Sequence, residues 1–135
     1  MLKLVQIDNG VFDLEFDDPA LADADADAAV ATLVYAALFT DAEATVSRVA
    51  DRYERRGWWD DPKAGSGLWH VRRQALGSAA RRETLDLVRM ALVSHAPALS
   101  DVVVTETGVA GNVSSVILEI RAKHNGRQFA MSVPL

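Results

Sequence analysis

Hydrophobic and polar residues alternate near the start of the chain, and this pattern predicts a β-hairpin over residues 2–16. Asn9–Gly10 separates the two alternating segments. Asn-Gly favours a two-residue turn, because both turn positions need positive φ. Such a turn fixes the register of the strands. The predicted cross-strand pairs are Ile7 with Phe12, Gln6 with Asp13 and Val5 with Leu14.

The same alternation near the end of the chain predicts a second hairpin, with its turn at Asn125–Gly126. One face of this hairpin is apolar and the other is polar, which is typical of an antiparallel sheet covered on one side. The predicted pairs are Ala122 with Phe129, Ile120 with Met131, Leu118 with Val133, Lys123 with Gln128, Arg121 with Ala130 and Glu119 with Ser132. Residues 102–107 (VVVTET) predict a third strand beside this hairpin.

Between the hairpins the hydrophobic period becomes helical. Residues 28–39 are apolar on nearly all sides and predict a buried helix, and residues 79–95 predict an amphipathic helix with Ser78 as its N-cap. Residues 67–75 suit a short helix, whereas residues 41–55 leave helix and loop both open. This order predicts an α+β fold, with an N-terminal hairpin, then helices, and then an antiparallel meander of about three strands. The length of 135 residues indicates one domain, residues 1–135.

Composition narrows the classes of partner. The net charge is −5, which argues against nucleic acid or an anionic membrane as the main partner, since both select clustered Lys and Arg. Arg72–Arg73 is a local exception, which we interpret as a solvated or ion-pairing face. The chain has no cysteine, so disulfides and thiolate metal sites are excluded. The N-terminus lacks the basic and apolar regions of a signal peptide. The apolar run at 28–39 is too short to span a bilayer.

Motifs for metal binding and catalysis are incomplete. The D-x-D-x-D spacing at 23–27 lacks the glycine and glutamate of a calcium loop. The three histidines are too far apart in sequence to suggest a zinc site. Glu54 with Asp60 or Asp61 suggests glycoside hydrolysis, but that reaction requires a set separation of the carboxylates across a cleft. We therefore expect no metal, no cofactor and no catalytic residue.

All three tryptophans lie in the segment RRGWWDDPKAGSGLW, residues 55–69. Its glycines and Pro62 favour an ordered, irregular backbone. Adjacent side chains point in different directions on a strand or a helix, so one core is not expected to take both Trp58 and Trp59. Arg55 and Arg56 are candidates for stacking on the rings.

Two interpretations of this segment stay open. In the first, the loop folds back and all three rings cap the chain's own core. In the second, at least one ring serves a partner interface, where Trp and Arg are enriched.

The segment also carries a family resemblance. Four motifs carry it, namely R-R-G-W-W at 55–59, D-P at 61–62, G-S-x-L-W at 65–69 and R-x-E-T-L at 81–85. They resemble the Mu-type phage baseplate protein family (Mu gene product forty-six). That family is related to the T-even baseplate wedge protein that helps start the tail sheath. Asp60 departs from the glycine that often follows the tryptophan pair.

The resemblance implies a non-enzymatic structural subunit of a contractile tail baseplate, made in the host cytoplasm and located in the virion or a tail-like particle. Its implied partners are other wedge subunits, the tail hub or spike, and the tail sheath protein, with no nucleic acid, membrane or cofactor. The residues expected to face the wedge or to order the loop are Arg55, Arg56, Trp58, Trp59, Asp61, Pro62, Gly65, Leu68 and Trp69.

Further hypotheses follow from the same sequence. The C-terminal strand ending MSVPL is a candidate edge for pairing with a sheath strand. A tail-associated peptidoglycan hydrolase using Glu54, Asp60 or Asp61 is the alternative, because some relatives carry a lysozyme-like label. A third class is a free-standing cytosolic binding domain.

Overall fold

The computed structural model describes residues 2–8, 11–16, 22–73, 77–108 and 116–135. The predicted α+β fold, with an N-terminal hairpin and a C-terminal antiparallel meander, is confirmed. The elements in chain order are β1 (Leu2–Asp8), β2 (Val11–Phe16), α1 (Ala22–Phe39), a 3-10 turn (Val46–Arg48), α2 (Leu68–Val71), α3 (Ser78–Val93), β3 (Leu99–Gly108), β4 (Val116–His124) and β5 (Arg127–Pro134).

The C-terminal sheet has the strand order β3-β4-β5 and is antiparallel throughout. All six predicted pairs between β4 and β5 are confirmed, and the predicted strand at 102–107 lies within β3. Asn125 and Gly126 have φ of 50° and 82°, the backbone that a two-residue turn of this type requires. Turn geometry and apolar alternation therefore specify the same register.

The N-terminal hairpin forms, but its predicted register is wrong. The turn at Asn9–Gly10 lies outside the described residues. Asp8 pairs with Val11, and an irregularity before Asp8 then places Gln6, and not Ile7, opposite Phe12. As a result Leu14 pairs with Leu4 and Asp13 with Val5.

The shifted hairpin packs against α1. The Phe12 ring lies 5.0 Å from the ring of Tyr35 and 4.8 Å from that of Phe39, so β2 presents Phe12 to α1. The extra residue Ile7 is 63% exposed. The backbone N–H of Leu4 donates to Thr32 Oγ1 at 3.1 Å, which fastens β1 to the same helix. Burial of Phe12 is thus compatible with a local irregularity that leaves Ile7 outside.

The main core lies between the helices and the inner face of the C-terminal sheet. Its most deeply buried side chains come from α1, α2, α3 and the three strands, namely Val34, Leu38, Leu68, Val88, Leu92, Leu99, Leu118, Ile120 and Val133. Val88 and Leu92 confirm that α3 presents one apolar stripe to the core, as its amphipathic pattern predicts. The predicted N-cap is wrong, because Gly77 takes that position and Ser78 begins the helix.

The helix predicted over 28–39 exists and is longer, beginning at Ala22. Only part of its surface is fully buried, since Ala36 is exposed and Leu33 and Tyr35 are partly buried. No helix among the described residues is both long enough and apolar enough to cross a lipid bilayer.

Candidate functional site

The segment 55–69, called here the tryptophan loop, is mostly irregular and lies along the backbone of residues 40–44. Four backbone hydrogen bonds join the two segments. They are Ser66 N–H to Thr40 O (2.9 Å), Ala42 N–H to Ser66 O (3.0 Å), Glu43 N–H to Pro62 O (2.7 Å) and Ala44 N–H to Arg55 O (2.9 Å). These bonds satisfy backbone groups that a helix over 41–55 would have used, so that region is irregular apart from the 3-10 turn.

Two glycines make this close approach possible. Gly65 has φ of +94°, and a Cβ at this position would lie 2.0 Å from Thr40 O. Gly57 has φ of +92°, and a Cβ there would lie 2.8 Å from Glu43 Cβ. Residues that carry a Cβ rarely adopt such φ values. Both positions therefore favour glycine, because of the backbone conformation and because a Cβ would collide with a neighbouring atom.

The Asp61–Pro62 part of the loop forms a local turn. Asp61 Oδ1 accepts the Lys63 N–H at 3.1 Å, and Asp61 O accepts the Ala64 N–H at 3.1 Å. Pro62 restricts the backbone at this point, and its carbonyl is the acceptor for Glu43. Both Asp61 and Pro62 are exposed, yet their contacts with the chain itself order the loop.

The C-terminal end of the loop is buried. Ser66 is buried and its hydroxyl donates to Leu38 O, while the Leu68 N–H donates to Ser66 Oγ at 3.3 Å. Leu68 is 2% exposed and belongs to the main core. Trp69 is 9% exposed, and its indole N–H donates to Ala42 O at 2.8 Å. Ser66, Leu68 and Trp69 therefore anchor the loop to the fold.

The loop arginines support the anchor in different ways. The Arg56 guanidinium lies 4.7 Å from the centre of the Trp69 ring and forms an ion pair with Asp41 at 2.5 Å. The predicted stacking of Arg56 on a tryptophan is therefore confirmed, and Arg73 stacks on Trp69 as well, at 5.4 Å. Arg55 donates to Ala44 O at 2.7 Å and pairs with Glu43 at 3.2 Å.

The other two tryptophans project from this ordered base. Trp58 is 49% exposed and Trp59 is 85% exposed. Their rings contact each other edge to face, with centroids 6.1 Å apart and planes at 64°. The interpretation in which all three rings cap the chain's own core is therefore wrong. Trp69 is buried, and Trp58 and Trp59 form an aromatic surface.

The nine predicted residues consequently divide into two groups. The loop-ordering group is Arg55, Arg56, Asp61, Pro62, Gly65, Leu68 and Trp69, and the outward-facing group is Trp58 and Trp59. No motif in the sequence analysis marks Ala42 and Ala44, whose backbone atoms help to hold the loop. Their contribution is made by backbone groups, so side-chain identity carries little signal of it.

His70 lies beneath the loop in an unusual setting. Its Nδ1 is buried and has no hydrogen-bond partner among the described residues, and its ring lies 5.3 Å from that of Trp69. Burial lowers the pKa of His70, the Arg48 charge lowers it further, and the Glu83 carboxylate opposes both. Arg48 and Glu83 themselves form an ion pair at 2.5 Å.

The carboxylates considered for hydrolysis lie on the surface of the described part of the chain. Glu54, Asp60 and Asp61 are all exposed, and none of them lines the concavity beside Asp101, the one beside Trp69 or the one beside Met90. Asp61 already serves as the acceptor of the loop turn. A glycosidase needs two carboxyl groups facing each other across a cleft.

Comparison with known proteins places the chain in a family. The solved structure of a protein described as a candidate tail lysozyme, from Geobacter sulfurreducens, superimposes with a TM-score of 0.52 at 12% identity. The match covers 90% of this chain and 94% of that one. Such low identity shows a shared fold and no more. No curated protein matches the chain significantly. The family model described as "Phage protein GP46" matches residues 30–128, which include the whole tryptophan loop, and the chain therefore belongs to this phage protein family.

Proposed function

We propose that this protein is a structural subunit of a contractile tail baseplate, in a phage or a tail-like particle. It packs among the wedge subunits around the hub and contacts the first sheath ring. The observation that carries the proposal is the pair of outward-facing indoles on a loop anchored by hydrogen bonds to residues 40–44. Membership of a phage protein family and a fold shared with a protein described as a candidate tail lysozyme support a place in the tail.

The energetics favour a partner for the aromatic surface. A tryptophan buries ~150–250 Å² when it is enclosed. At ~25 cal/mol per Å², enclosing one ring contributes on the order of 4–6 kcal/mol as an upper bound. Trp59, at 85% exposure, obtains little of this in the isolated chain. A loop whose backbone is already hydrogen-bonded to residues 40–44 has less conformational freedom to lose on docking, so more of this free energy is available to an interface.

The test is co-purification of the tagged protein with tail subunits, from cells that express the whole tail gene cluster. Trp59→Ala is expected to weaken capture of the wedge subunits by about 30-fold, since a central interface tryptophan contributes ~2 kcal/mol or more. Met90→Ala is the matched control, because Met90 is a large exposed apolar residue on α3. Equal capture by the Trp59 and Met90 variants, with both folded, would reject Trp59 as an interface residue.

The alternative is a tail-associated peptidoglycan hydrolase. The same purified protein can be tested for clearing of peptidoglycan, with Glu54→Gln as the comparison. Clearing by the wild type and its loss in the variant would favour the hydrolase. The structural proposal predicts no difference between the two proteins.

A further inference from the structure

A concavity of about 480 Å³ opens beside the tryptophan loop, between the end of α1, strand β2 and the short helix α2. Phe12 and Phe39 contribute apolar walls, and Trp69 also lines the concavity. Trp58 and Trp59 do not line it. Its properties are therefore separable from those of the aromatic surface.

The charge of this concavity is opposite to that of the whole chain. The net charge of the protein is −5, yet the lining contains Arg56, Arg72 and Arg73 against the single carboxylate of Asp41. Asp41 is already paired with Arg56. Among the described residues, no carboxylate forms an ion pair with Arg72 or Arg73. Within that part of the chain, two guanidinium groups are thus left without a neutralising partner at one opening.

We propose that this concavity binds an acidic peptide segment of a partner protein, in which carboxylates alternate with apolar side chains. Guanidinium groups form paired hydrogen bonds with carboxylates, and both Arg72 and Arg73 are exposed at the mouth. Stacking of Arg73 on Trp69 restricts its guanidinium before any ligand arrives. The walls formed by Phe12 and Phe39 favour an apolar side chain beside the carboxylate. A compact inorganic anion would gain nothing from those walls.

The experiment uses the full chain and a dye-labelled, end-blocked pentapeptide that alternates aspartate with leucine, with binding followed by fluorescence anisotropy. We expect saturable binding that weakens as NaCl is raised. Arg72→Gln and Arg73→Gln should each weaken binding by about tenfold, which corresponds to ~1.4 kcal/mol. Arg89→Gln, an exposed α3 arginine outside the concavity, should leave binding unchanged. Circular dichroism should show that all three variants are folded.

A second arm locates the ligand. In a Trp58→Phe/Trp59→Phe protein, Trp69 is the remaining tryptophan, and the peptide should change its emission with the same affinity. The proposal would be overturned by equal binding of a peptide that alternates asparagine with leucine, by competition from inorganic phosphate at similar concentration, or by identical affinities of the Arg72 and Arg89 variants. Failure here leaves the tail function untouched, because this assay does not involve tail assembly or the exposed indoles.

Discussion

Gly65→Ala tests whether the tryptophan loop is held against residues 40–44 as the structure describes. The new Cβ would lie 2.0 Å from Thr40 O, a backbone atom that cannot rotate away. The loop must then move, and the bonds at most risk are Ser66 N–H to Thr40 O (2.9 Å) and Ala42 N–H to Ser66 O (3.0 Å). The result should be a less stable protein with a displaced loop.

The expected cost has two parts. A non-glycine residue in the left-handed region costs ~1–2 kcal/mol. Loss of two backbone hydrogen bonds adds ~1–3 kcal/mol. Together they predict a decrease of ~2–5 kcal/mol in the free energy of unfolding.

Gly126→Ala separates the two parts. Gly126 has φ of +82°, and a Cβ added there would meet nothing within 4 Å, so only the conformational cost of ~1–2 kcal/mol applies. Urea denaturation followed by far-UV circular dichroism measures both variants. If Gly65→Ala lowers the free energy of unfolding no more than Gly126→Ala, the close approach of the loop to Thr40 is refuted.

Two other predictions concern pH and the sheet edge. Burial lowers the folded-state pKa of His70 below its unfolded value of ~6.5, so its neutral form favours folding above that pH and this contribution is lost as the pH falls below ~6.5. Urea titrations at several pH values should therefore show a shallower loss of stability in His70→Gln than in the wild type, and parallel curves would contradict the burial of Nδ1. The Ala130 N–H points away from β4, because residues on β5 alternate in hydrogen bonding from the turn onward. Ala130→Pro should therefore reduce the addition of sheath subunits in an assembly assay. Ala130→Thr keeps the N–H and should not reduce it. Normal addition of sheath subunits to the proline variant would exclude β5 as the sheath contact.

The two hairpins show how far local sequence specifies this fold. Both contain Asn-Gly turns between alternating segments, and for β4 and β5 these signals are sufficient for the whole register. In the N-terminal hairpin the same signals predict Ile7 opposite Phe12, whereas Gln6 takes that place. In the structure Phe12 packs on α1, and this is a tertiary contact that alternation within the hairpin does not contain.

The tryptophan loop shows a similar division. The expectation that one core does not take both Trp58 and Trp59 is confirmed, but the premise that the two side chains diverge is wrong, because their rings contact each other on the surface. The glycines and Pro62 correctly predict an irregular backbone. The sequence alone does not reveal which indole is buried, since that depends on the Ala42 carbonyl meeting the Trp69 N–H.

The concavity lined by Arg56, Arg72 and Arg73 could not be predicted from the sequence. The pattern around Arg72 and Arg73 indicates only a solvated or ion-pairing face. Arg72 and Arg73 line one concavity with Arg56, which is 16 and 17 positions earlier in the chain, and local sequence patterns do not show such a convergence.

The most direct test of the proposed tail role is hydroxyl-radical footprinting of the free protein and of assembled tail particles, read by mass spectrometry at individual side chains. In the free protein, labelling should follow exposure, with Trp59 fastest, Trp58 intermediate and Trp69 slowest. In the particle, Trp58 and Trp59 should become strongly protected while Trp69 stays unchanged. Labelling of Trp59 at the same rate in the particle as in the free protein would contradict the claim that a partner covers these indoles.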